Sequence, residues 1–260
     1  MAVIPSEVEE SLDSSERARD VSTSLDMTEG LFAALSMYND ITPHAAAMNM
    51  AIDEALLETA TAASIRFYRW QSPALSFGYF GKFTDVAIYA AERDLVRRWT
   101  GGGIVFHGDD LTYSIVIPAS VPAFDESSMV IYEKIHRALA EALNGSRRRA
   151  ELVASERRAD SRKLSGQGDV PTNNCFANPV RADVMMDGRK IAGAAQRRTR
   201  RGLLQQGSIQ SIPMKTDLAQ KFAQALSANC SEFDLKPQIF QRARELAQQK
   251  YGTDSWLHKR

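Results

Sequence analysis

A chain of 260 residues with 44% hydrophobic and 25% charged side chains can bury a sizeable core without disulfides or metal. Cys175 and Cys230 lack metal-ligand spacing, no apolar run reaches membrane-span length, and the N-terminus has no signal-peptide layout; these features exclude a disulfide scaffold, a zinc module and an integral membrane protein, and predict a soluble cytoplasmic chain with no metal site. Zero net charge conceals an asymmetry: residues 1–30 hold eight acidic and two basic side chains (net −6), and residues 144–201 hold fourteen basic and six acidic (net +8), which is either a solvated face or a field steering an acidic partner.

Residues 1–27 are polar, Ser/Glu-rich and free of aromatics, so a disordered acidic extension is expected there and a single domain over 28–260. Thr42-Pro43 predicts an N-cap and first turn for a helix over 43–60, with Met48, Ile52, Ala55, Leu56 and Thr59 on one face. Asn49, Asp53 and Glu54 fall away from the centre of that face. Strands are predicted at Ser64–Trp70 and Ala74–Tyr79, a short helix at 84–93, and strands at Leu95–Arg98, Gly103–Phe106 and Leu111–Ile117. Val130, Ile131, Ile135, Leu139 and Leu143 predict an amphipathic helix over Ser127–Leu143, stopped by Asn144-Gly145.

Residues 145–172 are rich in Arg, Ser and Gly, and a mobile, loop-dominated insertion is expected. Strands then resume at 180–186, 189–196 and 202–210, the first two joined by the hairpin signal Asp187-Gly188 and the last two by a basic turn at 197–201. Helices are expected at 216–226 and 237–250. This order of elements predicts an α+β fold, with a mixed or largely antiparallel sheet and helices packed on it.

Two segments concentrate the chemistry. Arg97-Arg98-Trp99-Thr100-Gly101-Gly102-Gly103-Ile104-Val105-Phe106-His107, followed by Leu111-Thr112-Tyr113-Ser114, forms a loop in which a ligand can approach backbone. Arg97 and Arg98 either hold phosphates or an acidic partner, or make ordinary salt bridges; His107 is either a direct participant or a structural strand-end histidine. The second segment runs from Cys175 to Gly207 and contains Lys190-Ile-Ala-Gly193-Ala-Ala-Gln196. Cys175 is either a reactive thiol or small buried filler, and Cys230 has no catalytic neighbours in sequence.

Five blocks in order, Asn49–Leu57, Arg66–Trp70, Ser76–Tyr79, Arg97–Gly103 and Lys190–Gln196, resemble the catalytic domain shared by lipoate–protein ligases and octanoyltransferases, related to biotin–protein ligases. The resemblance covers about residues 40–212 and implies that fold. It further implies an acyl slot at Gly101, Gly102 and Gly103, walled by Ile104, Val105 and Phe106, with His107, Ser114, Gly193 and Gln196 as binding positions. Lys190 would face the acyl carbonyl and stabilise charge developing on its oxygen. Cys175, in Asn174-Cys175-Phe176-Ala177-Asn178-Pro179, resembles the nucleophile segment of the cysteine-dependent octanoyltransferases.

That branch implies octanoyl transfer from acyl carrier protein, through a cysteine thioester, to a lysine of a lipoyl domain or glycine-cleavage H protein, with no cofactor. The glycine run is closer to the ATP-dependent lipoate–protein ligases, which would need ATP and Mg2+. A chain ending at residue 260 leaves no room for the accessory domain of many such ligases. A third reading, a basic nucleic-acid-binding module, rests on Arg197–Arg201 and the Arg-rich 147–163 region, without aromatic interleaving. The expected protein is a monomer that engages neither membrane nor nucleic acid.

Overall fold

The computed structural model describes residues 30–144, 149–153, 180–213 and 216–259. Eight strands form one sheet in the order β11-β1-β2-β6-β10-β9-β8-β7, and three form a second in the order β4-β3-β5. The strands are β1 (Leu35–His44), β2 (Ser64–Trp70), β3 (Ala74–Phe77), β4 (Asp94–Arg97), β5 (Val105–His107) and β6 (Leu111–Pro118), then β7 (Ala150–Leu152), β8 (Val184–Met186), β9 (Arg189–Arg198), β10 (Gly202–Ile209) and β11 (Cys230–Glu232). In the large sheet β1 runs parallel to both of its neighbours, and the remaining pairs are antiparallel. This is the mixed, largely antiparallel α+β architecture expected from the order of elements.

Helices cover both faces of the large sheet. On one side α2 (Ser128–Leu143) and α3 (Leu218–Leu226) bury Ile131, Ile135, Leu139 and Phe222 against Ile65, Phe67, Tyr113 and Ile115. On the other, α1 (Ala46–Thr59) and α4 (Pro237–Leu246) pack Met50, Ile52, Leu56 and Ile239 against Tyr68, Trp70, Val116 and Leu204. The alternation of strand side chains explains the sorting: in β2, Ile65 and Phe67 face α2 and α3, while Arg66, Tyr68 and Trp70 face α1. In β6, Thr112, Ser114 and Val116 share the α1 side. The small sheet has its own core of Leu75, Phe77, Val86 and Ile104.

Several sequence expectations are corrected. Thr42 and Pro43 lie in β1, which the sequence reading missed, and α1 begins at Ala46 with no side-chain cap. Asn49, Asp53 and Glu54 are buried, because α1 is enclosed by the sheet and α4 rather than lying on a surface. The helix expected at 84–93 is two short 3-10 turns, Phe83–Asp85 and Ala87–Tyr89. Within 145–172, the described residues include β7, which pairs with β8. The helix expected over 237–250 is α4 continued by a π-helical turn at Ala247–Tyr251, and a further short helix, α5 (Asp254–Leu257), follows. Asp187 and Gly188 take φ of 51° and 75°, the left-handed pair that a two-residue hairpin requires.

Candidate active site

A partly open cavity is lined by residues of both sheets. β9 supplies Gly193, Ala194 and Ala195 to its wall, and β10 supplies Gln206, Gly207 and Ser208. Met50, Tyr68, Trp70 and Thr112 close the α1 side; Ser76, Arg98, Val105 and His107 close the side of the small sheet.

Lys190 stands beside this wall. It is 7% exposed, and its Nζ pairs with Asp183 Oδ2 at 2.8 Å. A Cβ on Gly193 would lie 2.6 Å from Lys190 Cε and 2.7 Å from its Nζ. Gly193 is therefore glycine because the lysine side chain lies across its backbone. An ammonium fixed at the wall of a largely apolar slot is suited to stabilise negative charge developing on an acyl oxygen.

His107 sits in a buried relay. Arg98 donates to Ser76 Oγ (2.7 Å), Ser76 Oγ pairs with His107 Nε2 (2.7 Å), and His107 Nδ1 pairs with Asp110 Oδ2 (2.8 Å). Asp110 also accepts from Thr112, Ser208 and the Gly108 N–H. Burial alone would raise the Asp110 pKa, but its hydrogen bonds to His107, Ser208 and Gly108 bring it down to about 2. Burial lowers the pKa of His107, with Asp110 partly opposing, so the neutral imidazole donates from Nδ1 and accepts Ser76 at Nε2. Trp70 stacks on His107 at 4.0 Å and donates to Thr112. With these polar groups mutually bonded, the ring of Trp70 and the small residues of β9 remain as apolar contact surface.

The arginines and glycines have distinct placements. Arg98 also donates to the carbonyls of Gly101 and Gly103, bracing the loop against the small sheet. Arg97 is buried and donates to the carbonyls of Tyr79, Gly81, Trp256 and Leu257, fastening the C-terminal helix to the 79–81 loop. Neither arginine presents its guanidinium on an open surface. Gly102 needs its glycine for a φ of +84°, with Ala195 and Arg98 close by. Of the three expected walls, Val105 lines the cavity; Ile104 joins the small-sheet core and Phe106 packs on Tyr89.

Ser114 donates to Asp53 Oδ1 (2.7 Å), and Gln196 donates to Gln205 across β9 and β10 (2.7 Å). Neither belongs to the cavity lining. Cys175 lies outside the described residues; Cys230 is partly buried at the start of β11, with burial and Glu232 pushing its thiol pKa up. In the basic turn, Arg197 packs on Tyr79 and Trp99 and Arg198 on Phe124, which occupies two of the four arginines that this turn would lend to a nucleic-acid reading. Among the described residues no group of His, Cys, Asp or Glu could hold a metal, and no helix is long and apolar enough to cross a membrane.

Sequence reasoning missed the lining from Met50, Tyr68, Trp70, Gln206 and Ser208, and the buried polar cluster behind it. Arg66 there bonds Asp40, Asn49 and Asp53, and Gln206 donates to Asp53. The order Asn49, Asp53, Arg66, with helical then strand spacing, was the available signal.

Residues 45–246 match the family model described as the lipoyl protein ligase A/B catalytic domain. The octanoyltransferase LipM of Oceanobacillus iheyensis is 39% identical over 191 residues, 69% of this chain and 66% of that protein. LipM of Macrococcus caseolyticus is 38% identical over 173 residues, 63% of this chain and 62% of that protein. The matches thus span just under two thirds of these relatives' lengths. Among solved structures, a lipoate-protein ligase A bound with ATP superposes with a TM-score of 0.66 at 21% identity, covering 86% of this chain and 98% of that one. A T. acidophilum structure with bound lipoic acid gives 0.67 at 20% identity, over 86% and 99%. At such identities the likeness is one of fold.

Proposed function

From a chain that belongs to the lipoyl protein ligase A/B catalytic-domain family, we propose an acyltransferase of protein lipoylation, which moves an octanoyl group from acyl carrier protein to a lysine of a lipoyl domain or glycine-cleavage H protein. The observation that carries this reading is Lys190, its ammonium held by Asp183 against Gly193, which lines the slot between the two sheets. The LipM relatives, named as octanoyltransferases, support the choice of acyl group.

The octanoyl tail lies in the slot, where each buried methylene contributes about 0.8 kcal/mol. The Cys175 thiolate attacks the thioester carbonyl, and Lys190 stabilises the tetrahedral oxyanion. The carrier's thiolate leaves, taking up a proton, and octanoyl-Cys175 remains. The neutral amine of the acceptor lysine then attacks this second thioester; the amide forms, Cys175 departs as thiolate, and the amine's extra proton passes to solvent. Thioester to amide runs downhill, so neither ATP nor another cofactor enters.

The test is octanoylation of a purified lipoyl domain by the full chain with octanoyl-acyl carrier protein and no nucleotide. Product is expected under those conditions. Modification that requires free lipoate or octanoate together with ATP and Mg2+ would replace the transferase with a ligase.

A further inference from the structure

Lys190 is anchored in a buried network to which the reaction above gives no chemical step beyond that of the lysine itself. Asp183 is fully buried, and its carboxylate takes three donors: Tyr132 Oη at 2.6 Å on Oδ1, and the Val180 N–H (2.7 Å) and Lys190 Nζ (2.8 Å) on Oδ2. The Tyr132 hydroxyl donates to Asp183 and accepts from the Ala194 N–H at 3.1 Å. The described pairing of β8 with β9 ends at Ala192, and Tyr132 takes the Ala194 N–H beyond it. Ala194 itself lines the cavity.

One turn further along α2, His136 holds the backbone next to Asp183. Its Nδ1 donates to the Ala182 carbonyl at 2.7 Å, its Nε2 accepts from Tyr113 at 3.1 Å, and its ring lies 4.2 Å from that of Tyr132. Helical spacing of four places Tyr132 and His136 on one face, so a single rigid element grips Asp183 and its neighbour together. A buried ion pair is a poor source of stability compared with apolar packing. Its location at the cavity wall, with a glycine beneath it and a hydrogen bond onward to wall backbone, points to orientation instead.

We propose that Asp183 and Tyr132 are positioning residues for Lys190: together they hold its ammonium over Gly193 and tie that position to the wall at Ala194, so that α2 sets where the charge meets the acyl carbonyl. The inference rests on the role given to Lys190 under the proposed function. Asp183 supplies the charge that directs the ammonium, and Tyr132 fixes the carboxylate relative to β9.

Full-length wild type, Tyr132→Phe, Asp183→Asn and Asp183→Glu are compared for thermal midpoint, KM for the acyl donor and kcat, in whichever acyl transfer the wild type performs. Tyr132→Phe is expected to lower kcat about 10-fold and Asp183→Asn about 100-fold, the loss associated with misplacing a catalytic group. KM should stay within about 2-fold, because tail binding uses other residues, while Tyr132→Phe, which leaves the Ala194 N–H and one Asp183 oxygen without their partner, should lower the midpoint by a few degrees and remain folded under assay. Asp183→Glu, which keeps the charge, should recover part of the kcat lost in Asp183→Asn. Unchanged kcat in folded Tyr132→Phe and Asp183→Asn would overturn the inference while leaving the transferase reading standing. A wild type inactive with carrier-bound and free acyl substrates alike would instead strike the proposed function.

Discussion

At the residue scale, the environment decides what each titratable group does. His136 has its pKa lowered to about 4, chiefly by burial, with the Ala182 carbonyl and Asp183 opposing. An unfolded histidine titrates near 6.5. The unfolded chain therefore binds this proton first as pH falls, and folding stability declines between about pH 6.5 and 4. The loss attributable to His136 is on the order of 2–3 kcal/mol from about pH 7.5 to about pH 4.5. Urea unfolding at those two pH values should show a smaller decline for His136→Gln than for wild type. Parallel declines would mean that another group governs acid sensitivity in this range. The depressed pKa of Asp110 acts in a separate window, its contribution present above about pH 4 and lost as pH falls towards 2.

At the scale of elements, α1 contributes more than an apolar face. Its Asn49 and Asp53 receive the guanidinium of Arg66 from β2, which also pairs with Asp40 of β1 at 2.8 Å and lies over the Tyr68 ring at 4.0 Å. This cluster sets the depth at which Met50 and Tyr68 meet the cavity. Arg66→Met would leave Asp53 buried without its cationic partner, and a loss of about 3–5 kcal/mol is expected in chemical denaturation. A loss under about 1 kcal/mol would show that the cluster relaxes without its cation.

The sequence was most legible where periodicity or turn chemistry was strong. β2, β6, α2, the Asp187-Gly188 hairpin and β10 lie within a residue or two of expectation. β1 was hidden because Thr42-Pro43 imitates a helix start, whereas a proline near the end of a strand is equally compatible with that sequence. The sequence places Asn49, Asp53 and Glu54 off the centre of the apolar face of α1, but single-sequence reasoning gives no sign that Arg66 and Gln206 wait for Asn49 and Asp53 on the facing strands. Of the alternatives that the sequence left open for Arg97 and Arg98, neither salt bridging nor placement could be read from the chain: both bond backbone carbonyls, and Arg98 also lines the cavity.

At the scale of the whole molecule, the fold brings together segments far apart in sequence. Gly193 on β9, Ser76 and His107 on the small sheet, and Trp70 on β2 surround one slot, with Lys190 beside Gly193 and Asp110 bonded to His107. In the reading proposed for it, the slot takes the acyl tail, the Lys190 ammonium meets the carbonyl, and Cys175 is the nucleophile. The most direct test is intact-protein mass spectrometry after incubation with octanoyl-acyl carrier protein without ATP, on wild type and Cys175→Ala. The account predicts a hydroxylamine-sensitive octanoyl adduct on the wild type that is absent from the variant. An adduct that persists in Cys175→Ala, or ATP-dependent lipoyl-domain modification that the variant performs as well as wild type, would contradict it.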